Sequence, residues 1–165
     1  MDPVVELRPM ASTDLPAVMQ LVADTPQAPV WREADYHSFF RAQNIHPEEP
    51  ADPLRRRAWV LSAEGAVFGF AAAALLTTGG ASECELEFIV VSPGIRNRGY
   101  GAGLIDAILQ WAQASGAQAI RLEVRESNKS ARLFYAQVGF KMITKRLQYY
   151  ANPPEAAIVM KLYSW

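Results

Sequence analysis

The sequence has a single cysteine, two histidines and no long apolar run, and its charges nearly cancel. Each shortage removes a class of answer. One cysteine, Cys84, excludes a disulfide scaffold and fits a reducing compartment. His37 and His46 lie apart, with no cysteine or acidic residues at ligand spacing, so no metal site is expected. The longest apolar stretch, residues 67–76, is far shorter than the roughly 20 residues that cross a bilayer and reads as a buried strand. Met1-Asp2-Pro3-Val4 has neither the basic nor the apolar region of a signal peptide, so a cytoplasmic protein without membrane association is expected. A formal net charge of -1, from 16 Lys+Arg against 17 Asp+Glu, argues against a general polyanion binder. No direct nucleic-acid contact is therefore expected. Repeats and low-complexity tracts are also absent.

What is present is ordinary in amount: 165 residues, 50% hydrophobic and 20% charged. That length fits one domain over residues 1–165, since about 100–200 residues per domain is usual. Patterning gives the order of elements. Residues 4–8 read as an opening strand, and Ser12-Thr13-Asp14 offers helix caps before Leu15, Val18, Met19 and Val22 at helical spacing. Two prolines in residues 25–30 break that helix, and a second is expected over residues 32–42. Residues 46–53 form a polar, proline-rich loop, and Arg55-Arg56-Arg57 reads as a solvated run before a strand. Strands are expected over 57–62, 67–77 and 84–91, a helix ending at Gly116, and a strand over 119–125. A helix capped by Ser127 and ended by Gly139 follows, then a strand pair over 141–150 and 157–163. The order βααβββαβαββ is that of a mixed α/β domain.

The most informative stretch is Val91-Ser92-Pro93-Gly94-Ile95-Arg96-Asn97-Arg98-Gly99-Tyr100-Gly101-Ala102-Gly103. A buried strand ends, two arginines precede glycines, and a helix opens with unpaired N–H groups that suit a pyrophosphate. No acidic residue lies between Phe88 and Ile105 to oppose Arg96 and Arg98. A P-loop is excluded, because Tyr100-Gly101 stands where Lys-Ser/Thr is required. A dinucleotide fingerprint begun at Gly99 meets Leu104 where its third glycine belongs, although Glu123 does lie 20 residues beyond Gly103. From the glycines alone, an anion-binding loop and a turn with solvated arginines both remain open.

An acyl transfer to an amine needs one group to take a proton and another to protonate the departing thiolate. Glu123 sits inside an apolar strand, where burial is expected to raise its pKa toward that of a useful base. The competing reading pairs it with Arg121 or Arg125 on the same strand face. Tyr135, on the next helix, is either a hydroxyl donor or a packed aromatic.

Arg96-Asn97-Arg98-Gly99-Tyr100-Gly101 resembles the Arg/Gln-x-x-Gly-x-Gly/Ala loop of the GNAT superfamily of N-acetyltransferases. The segment from Leu122-Glu123-Val124-Arg125 through Asn128 to Phe134-Tyr135 and Gly139-Phe140 is similar to that of the RimI-type ribosomal-protein-alanine N-acetyltransferases. So are Arg146-Leu147-Gln148-Tyr149-Tyr150, Ala157-Ile158-Val159-Met160 and the Pro29-Val30-Trp31 segment with Tyr36. The resemblance implies a GNAT fold: a single α/β domain whose central sheet is mixed, mostly antiparallel and flanked by helices. It implies acetyl-CoA as cosubstrate, with its pyrophosphate on Arg96, Asn97, Arg98, Gly99, Tyr100, Gly101 and Ala102. Ile89, Val90 and Val91 would hold the pantetheine arm, and Asn128 would lie near it. Glu123 would be the general base and Tyr135 the general acid. The acceptor would be a protein N-terminal α-amine of the small-subunit ribosomal-protein type, with a small-molecule amine or a non-catalytic acyl-CoA or dinucleotide module as alternatives.

Two departures bear on the acceptor. Residues 42–57 are longer and richer in proline than the pattern, and Phe88 stands where a small or polar residue is common. Cys84, in an apolar strand, reads as packing rather than as a nucleophile. Glu85 and Glu87, on one strand face with Ile89 by alternation, read as ordinary surface charges, with attraction of a cationic amine as the other possibility. Oligomeric state is not legible in these residues.

Overall fold

The computed structural model describes residues 4–43 and 54–163. Its elements are β1 (Glu6–Pro9), α1 (Leu15–Ala23), α2 (Glu33–His37), β2 (Leu54–Ala63), β3 (Ala66–Thr78), β4 (Ala81–Val91), α3 (Tyr100–Ala114), β5 (Ala117–Arg125), α4 (Lys129–Gln137), β6 (Lys141–Ala151) and β7 (Pro154–Tyr163). This is the order expected from patterning. The strands form one sheet in the order β1-β2-β3-β4-β5-β7-β6, antiparallel except where β4 meets β5. A mixed, mostly antiparallel sheet flanked by helices is the observed fold.

Period-two alternation splits the core into two layers. On one face Leu104, Ile105, Ile108 and Ala112 of α3 pack on Leu61, Ala73, Leu86, Leu122 and Met160. On the other, Leu15, Val18 and Val22 of α1 pack with Tyr36 and Phe39 on Val60, Phe70, Ala72 and Val90. The alanine run Ala71-Ala72-Ala73 is wholly buried. Among the described residues no helix is long and apolar enough to cross a membrane.

Several local expectations are corrected. β2 begins at Leu54, so Arg55 and Arg56 lie inside it, partly buried, rather than in a solvated lead-in, while Arg57 is exposed. Arg56 is mostly buried: its Nε donates to Glu87 at 2.9 Å, and its guanidinium lies 4.1 Å from the Phe39 ring centroid. A charge-assisted bond and an aromatic face together offset its desolvation. The second helix stops at His37 and tightens into a 3-10 segment, Ser38–Gln43. Asn128, not Ser127, caps α4; its side chain accepts from the Ala131 N–H at 3.2 Å. The expected 46–53 loop, with His46, lies outside the described residues.

The largest correction concerns β4. Ala72 pairs with Phe88 and Ala73 with Leu86, so Glu87 is an extra residue in a β-bulge. The bulge inverts the alternation beyond it. Leu86 faces the α3 layer and so does Ile89, while Phe88 and Val90 face the α1 layer. Glu85 and Ile89 are therefore on opposite faces, against the simple period-two reading.

Candidate active site

The parallel seam between β4 and β5 is short. Its register runs Ser82↔Ala117, Cys84↔Ile120 and Glu85↔Arg121, and then the strands part. Beyond that point lies a fork, open through the sheet, with two clefts meeting in it. This is what allows groups from opposite layers to face one space.

The first cleft, about 640 Å³, lies between the ends of β4, α3 and α4. Ile89, Val90, Val91, Arg96, Asn97, Gly99, Tyr100, Gly101, Ala102 and Asn128 all line it, with Ile95, Phe134 and Val138 in addition. Of the residues expected to hold acetyl-CoA, only Arg98 is not in its lining. The chain enters α3 through two left-handed residues, Asn97 at φ 61° and Gly99 at φ 83°. Both residue types tolerate that region. The Gly103 N–H bonds back to the Gly99 carbonyl at 3.0 Å, and no side chain caps the helix. The first-turn N–H groups of Tyr100, Gly101 and Ala102 thus open on the cleft with the positive end of the helix dipole. Arg96 braces the loop, its Nε donating to the Val91 carbonyl at 2.7 Å. An elongated, apolar-sided cleft ending in free N–H groups and arginine fits a pantetheine arm with a pyrophosphate.

Gly101 serves packing as much as ligand approach. A Cβ there would stand 3.0 Å from Cζ of Phe134, whereas one at Gly103 would meet only Leu7 Cδ1 at 3.4 Å. Gly101→Val should therefore wedge α3 away from α4, lowering stability by about 1–3 kcal/mol and weakening acetyl-CoA binding. Gly103→Ala should do neither. Thermal melts and calorimetry on the two variants read the contrast.

The second cleft, about 460 Å³, lies across the fork. Glu85, Glu87 and Phe88 line it from β4, Glu123 and Arg125 from β5, and Tyr149 and Tyr150 from β6. Pro26, Gln27 and Pro29, from the segment between α1 and α2, close another side. Trp31 and Tyr36 belong elsewhere: their rings pack at 5.4 Å within the aromatic layer under α1 and α2. Thr25, Ile89, Asn128, Ala131 and Tyr135 line both clefts. Thr25 was missed in the sequence, where it reads only as the residue before a helix-breaking proline.

Tyr135 and Glu123 approach from opposite faces of the sheet. Tyr135 is on α4, its ring 5.5 Å from that of Phe140. Burial, with a contribution from Tyr150, pushes its hydroxyl up to about 12, so it stays protonated. Glu123 is only 9% exposed at its side chain. Its Oε1 accepts from Arg121 Nη2 at 2.6 Å and from Arg146 Nη1 at 2.8 Å, and the Tyr149 hydroxyl also donates to it. Burial alone would raise its pKa, but the bonds from Tyr149, Arg121 and Arg146 outweigh burial and lower it. The expected upward shift is thus reversed. Arg125 takes no part; it pairs with Glu155 at 3.4 Å and lies 4.1 Å from the Tyr150 ring centroid.

Tyr149 reaches Glu123 because β6 bulges. Arg146 pairs with Ala157 and Tyr150 with Glu155, so residues 147–149 stand opposite Ala156 alone, with Gln148 at φ 52°. Removing this donor with Tyr149→Phe should raise the Glu123 pKa, moving the acid limb of the pH profile of kcat/KM to higher pH. An unmoved limb would separate Glu123 from that limb.

Cys84 is fully buried, and burial together with Glu85 and Glu87 pushes its thiol up to about 12. It is a packing residue, not a nucleophile. Among the described residues no group of three metal-ligating side chains gathers.

Known proteins resemble this chain in sequence and in shape. Residues 15–140 match the model of the acetyltransferase (GNAT) family. The ribosomal protein bS18-alanine N-acetyltransferase of Haemophilus ducreyi is 39% identical over 84 residues, which is 49% of this chain and 58% of that protein. That match thus spans less than two thirds of the relative. The Salmonella typhimurium protein of the same name is 30% identical over 155 residues, 93% of each chain. The crystal structure of the ribosomal-protein-S18-alanine N-acetyltransferase from Escherichia coli superposes with a TM-score of 0.71 at 25% identity, covering 97% of this chain and 94% of that one.

Proposed function

The chain belongs to the acetyltransferase (GNAT) family, and on that premise we propose that it moves the acetyl group of acetyl-CoA to a protein N-terminal α-amine. The acceptor is of the small-subunit ribosomal-protein type, as the names of the relatives suggest. The observation that carries this reading is the junction of the two clefts at Tyr135. A donor thioester in the first cleft and an amine in the second would meet beside one hydroxyl.

Transfer is direct, in a ternary complex. The amine nitrogen attacks the thioester carbonyl carbon; an N–C bond forms and the C–S bond breaks. Glu123, whose lowered pKa keeps it ionised near neutral pH, takes the ammonium's proton through a water and passes it to solvent, and the second proton that nitrogen loses as the amide forms leaves by the same route. Tyr135 donates to the coenzyme A sulfur. A thiol near 8.5 is a stronger acid than a phenol held at about 12, so the phenol gives its proton only as negative charge gathers on sulfur. The phenolate then recovers a proton from solvent. Acetyl-CoA supplies the acyl group; the protein supplies position, the proton acceptor and the donor to sulfur.

A panel of acceptors, read by thiol release, tests the proposal: peptides beginning with Ala or Ser against polyamines and free amino acids. The reading requires kcat/KM for the peptides to exceed that of the small amines by at least tenfold. Preference for the small amines would reassign the acceptor. Binding of acetyl-CoA without thiol release to any acceptor would make the chain a binding module instead.

A further inference from the structure

Three carboxylates line the acceptor cleft, and their partners set them apart. Glu87 accepts from Arg56 at 2.9 Å, and Arg56 is itself engaged by the Asp35 carbonyl and the Ser38 hydroxyl. Glu123 is met by two guanidinium groups and a phenol. Among the described residues Glu85 has only Arg121, at 4.0 Å, beyond hydrogen-bond distance, and that guanidinium is already committed to Glu123 at 2.6 Å. At 51% side-chain exposure, Glu85 looks into the cleft from the β4 side of the fork while Glu123 closes the β5 side.

We infer that Glu85 holds the ammonium form of the acceptor in the second cleft, between β4 and β5, before Glu123 takes its proton. The inference rests on the acetyl-transfer reading and deepens it, by naming the charged species that binds. An ammonium brings three N–H donors and one positive charge. Among the described residues of this cleft only Glu85 combines an exposed carboxylate with unused acceptor capacity. Its register with Arg121, the last pair before the fork opens, places it where the gap begins. Burial does most to raise the Glu85 pKa, Arg121 works against the rise, and Glu123, Glu87 and Glu83 add to it, so an arriving cation offsets the repulsion among the carboxylates. Glu85 is thus a positioning residue whose contribution is to acceptor binding. The favoured acceptor is a cationic amine with no acidic group close by.

The test compares E85Q with E83Q, which removes the same charge from β4 outside the cleft lining. Acceptors are the best peptide from the panel and, as a competitive inhibitor, its analogue lacking the α-amino group. In E85Q the peptide KM should rise about tenfold, with kcat falling less than threefold and the acetyl-CoA KM unchanged, while E83Q behaves as wild type. Wild type should bind the peptide more tightly than the desamino analogue, and E85Q should lose that preference. A charge-conserving E85D should recover part of it. An unchanged peptide KM in E85Q, or a preference for the amine that survives in it, overturns the inference. If wild type acetylates no amine at all, the functional reading fails first, and the two failures are distinct.

Discussion

A Tyr135→Phe enzyme should lose about 100-fold in kcat while its affinity for acetyl-CoA stays within twofold of wild type. General acid catalysis contributes roughly 10²–10⁴-fold, and a donor pushed up to about 12 belongs at the lower end of that range. The ring is retained in the variant, so packing on Phe134 and Phe140 survives and only the hydroxyl is lost. Calorimetry with acetyl-CoA and steady-state thiol release separate binding from chemistry. An enzyme that binds normally and keeps its full kcat would remove Tyr135 from the reaction. A loss confined to the acetyl-CoA KM would make it a wall of the cleft. The defect should also shrink with an acyl donor whose leaving group is a stronger acid, because such a group needs less help from the phenol.

Glu123→Gln should cost about 100-fold in kcat near neutral pH and progressively less as pH rises. The reason is the state of the acceptor. An α-amine titrates near 7.7–8.0, so below that range it must surrender a proton, and above it most of the amine arrives free. A loss independent of pH would show that Glu123 orders the site without taking the proton. The same variant has a stability signature. The folded pKa of Glu123 is lowered from its ordinary 4.5, so its ionised form contributes stability that is complete above that value. The contribution is lost as pH falls through the folded value. The glutamine variant should therefore show a shallower loss of melting temperature on acidification, after a lower starting point that reflects the ion pairs Arg121 and Arg146 make with Glu123.

Much of this architecture is legible in the residues because it is local. Apolar alternation and helical spacing give all eleven regular elements in order, and the glycine and arginine spacing marks the loop that opens α3. What escapes is set by register and by distance along the chain. The extra residue at Glu87 cannot be read from alternation, yet it decides that Ile89 turns toward α3. The donors that reverse the Glu123 shift, Arg146 and Tyr149, sit on another strand, and only the bulge in β6 brings Tyr149 within reach. Arg56 reads as one of three solvated arginines until Glu87 and Phe39 are folded against it. Asn128 and Ser127 are equally good caps by composition, and only backbone geometry chooses between them.

The short seam between β4 and β5 has a thermodynamic consequence of its own. Three register pairs and the shared core under α3 join a half-sheet of four strands to one of three, and whatever fills the fork adds to that joint. A ligand that touches both lips binds the folded chain and not the unfolded one. At a concentration 100 times its dissociation constant it adds about 2.7 kcal/mol to the folding free energy. That is a sizeable fraction of the 5–15 kcal/mol typical of a domain. Substrate supply in the cell would then govern how long the enzyme lasts as well as how fast it works, with the starved protein the one exposed to unfolding and proteolysis.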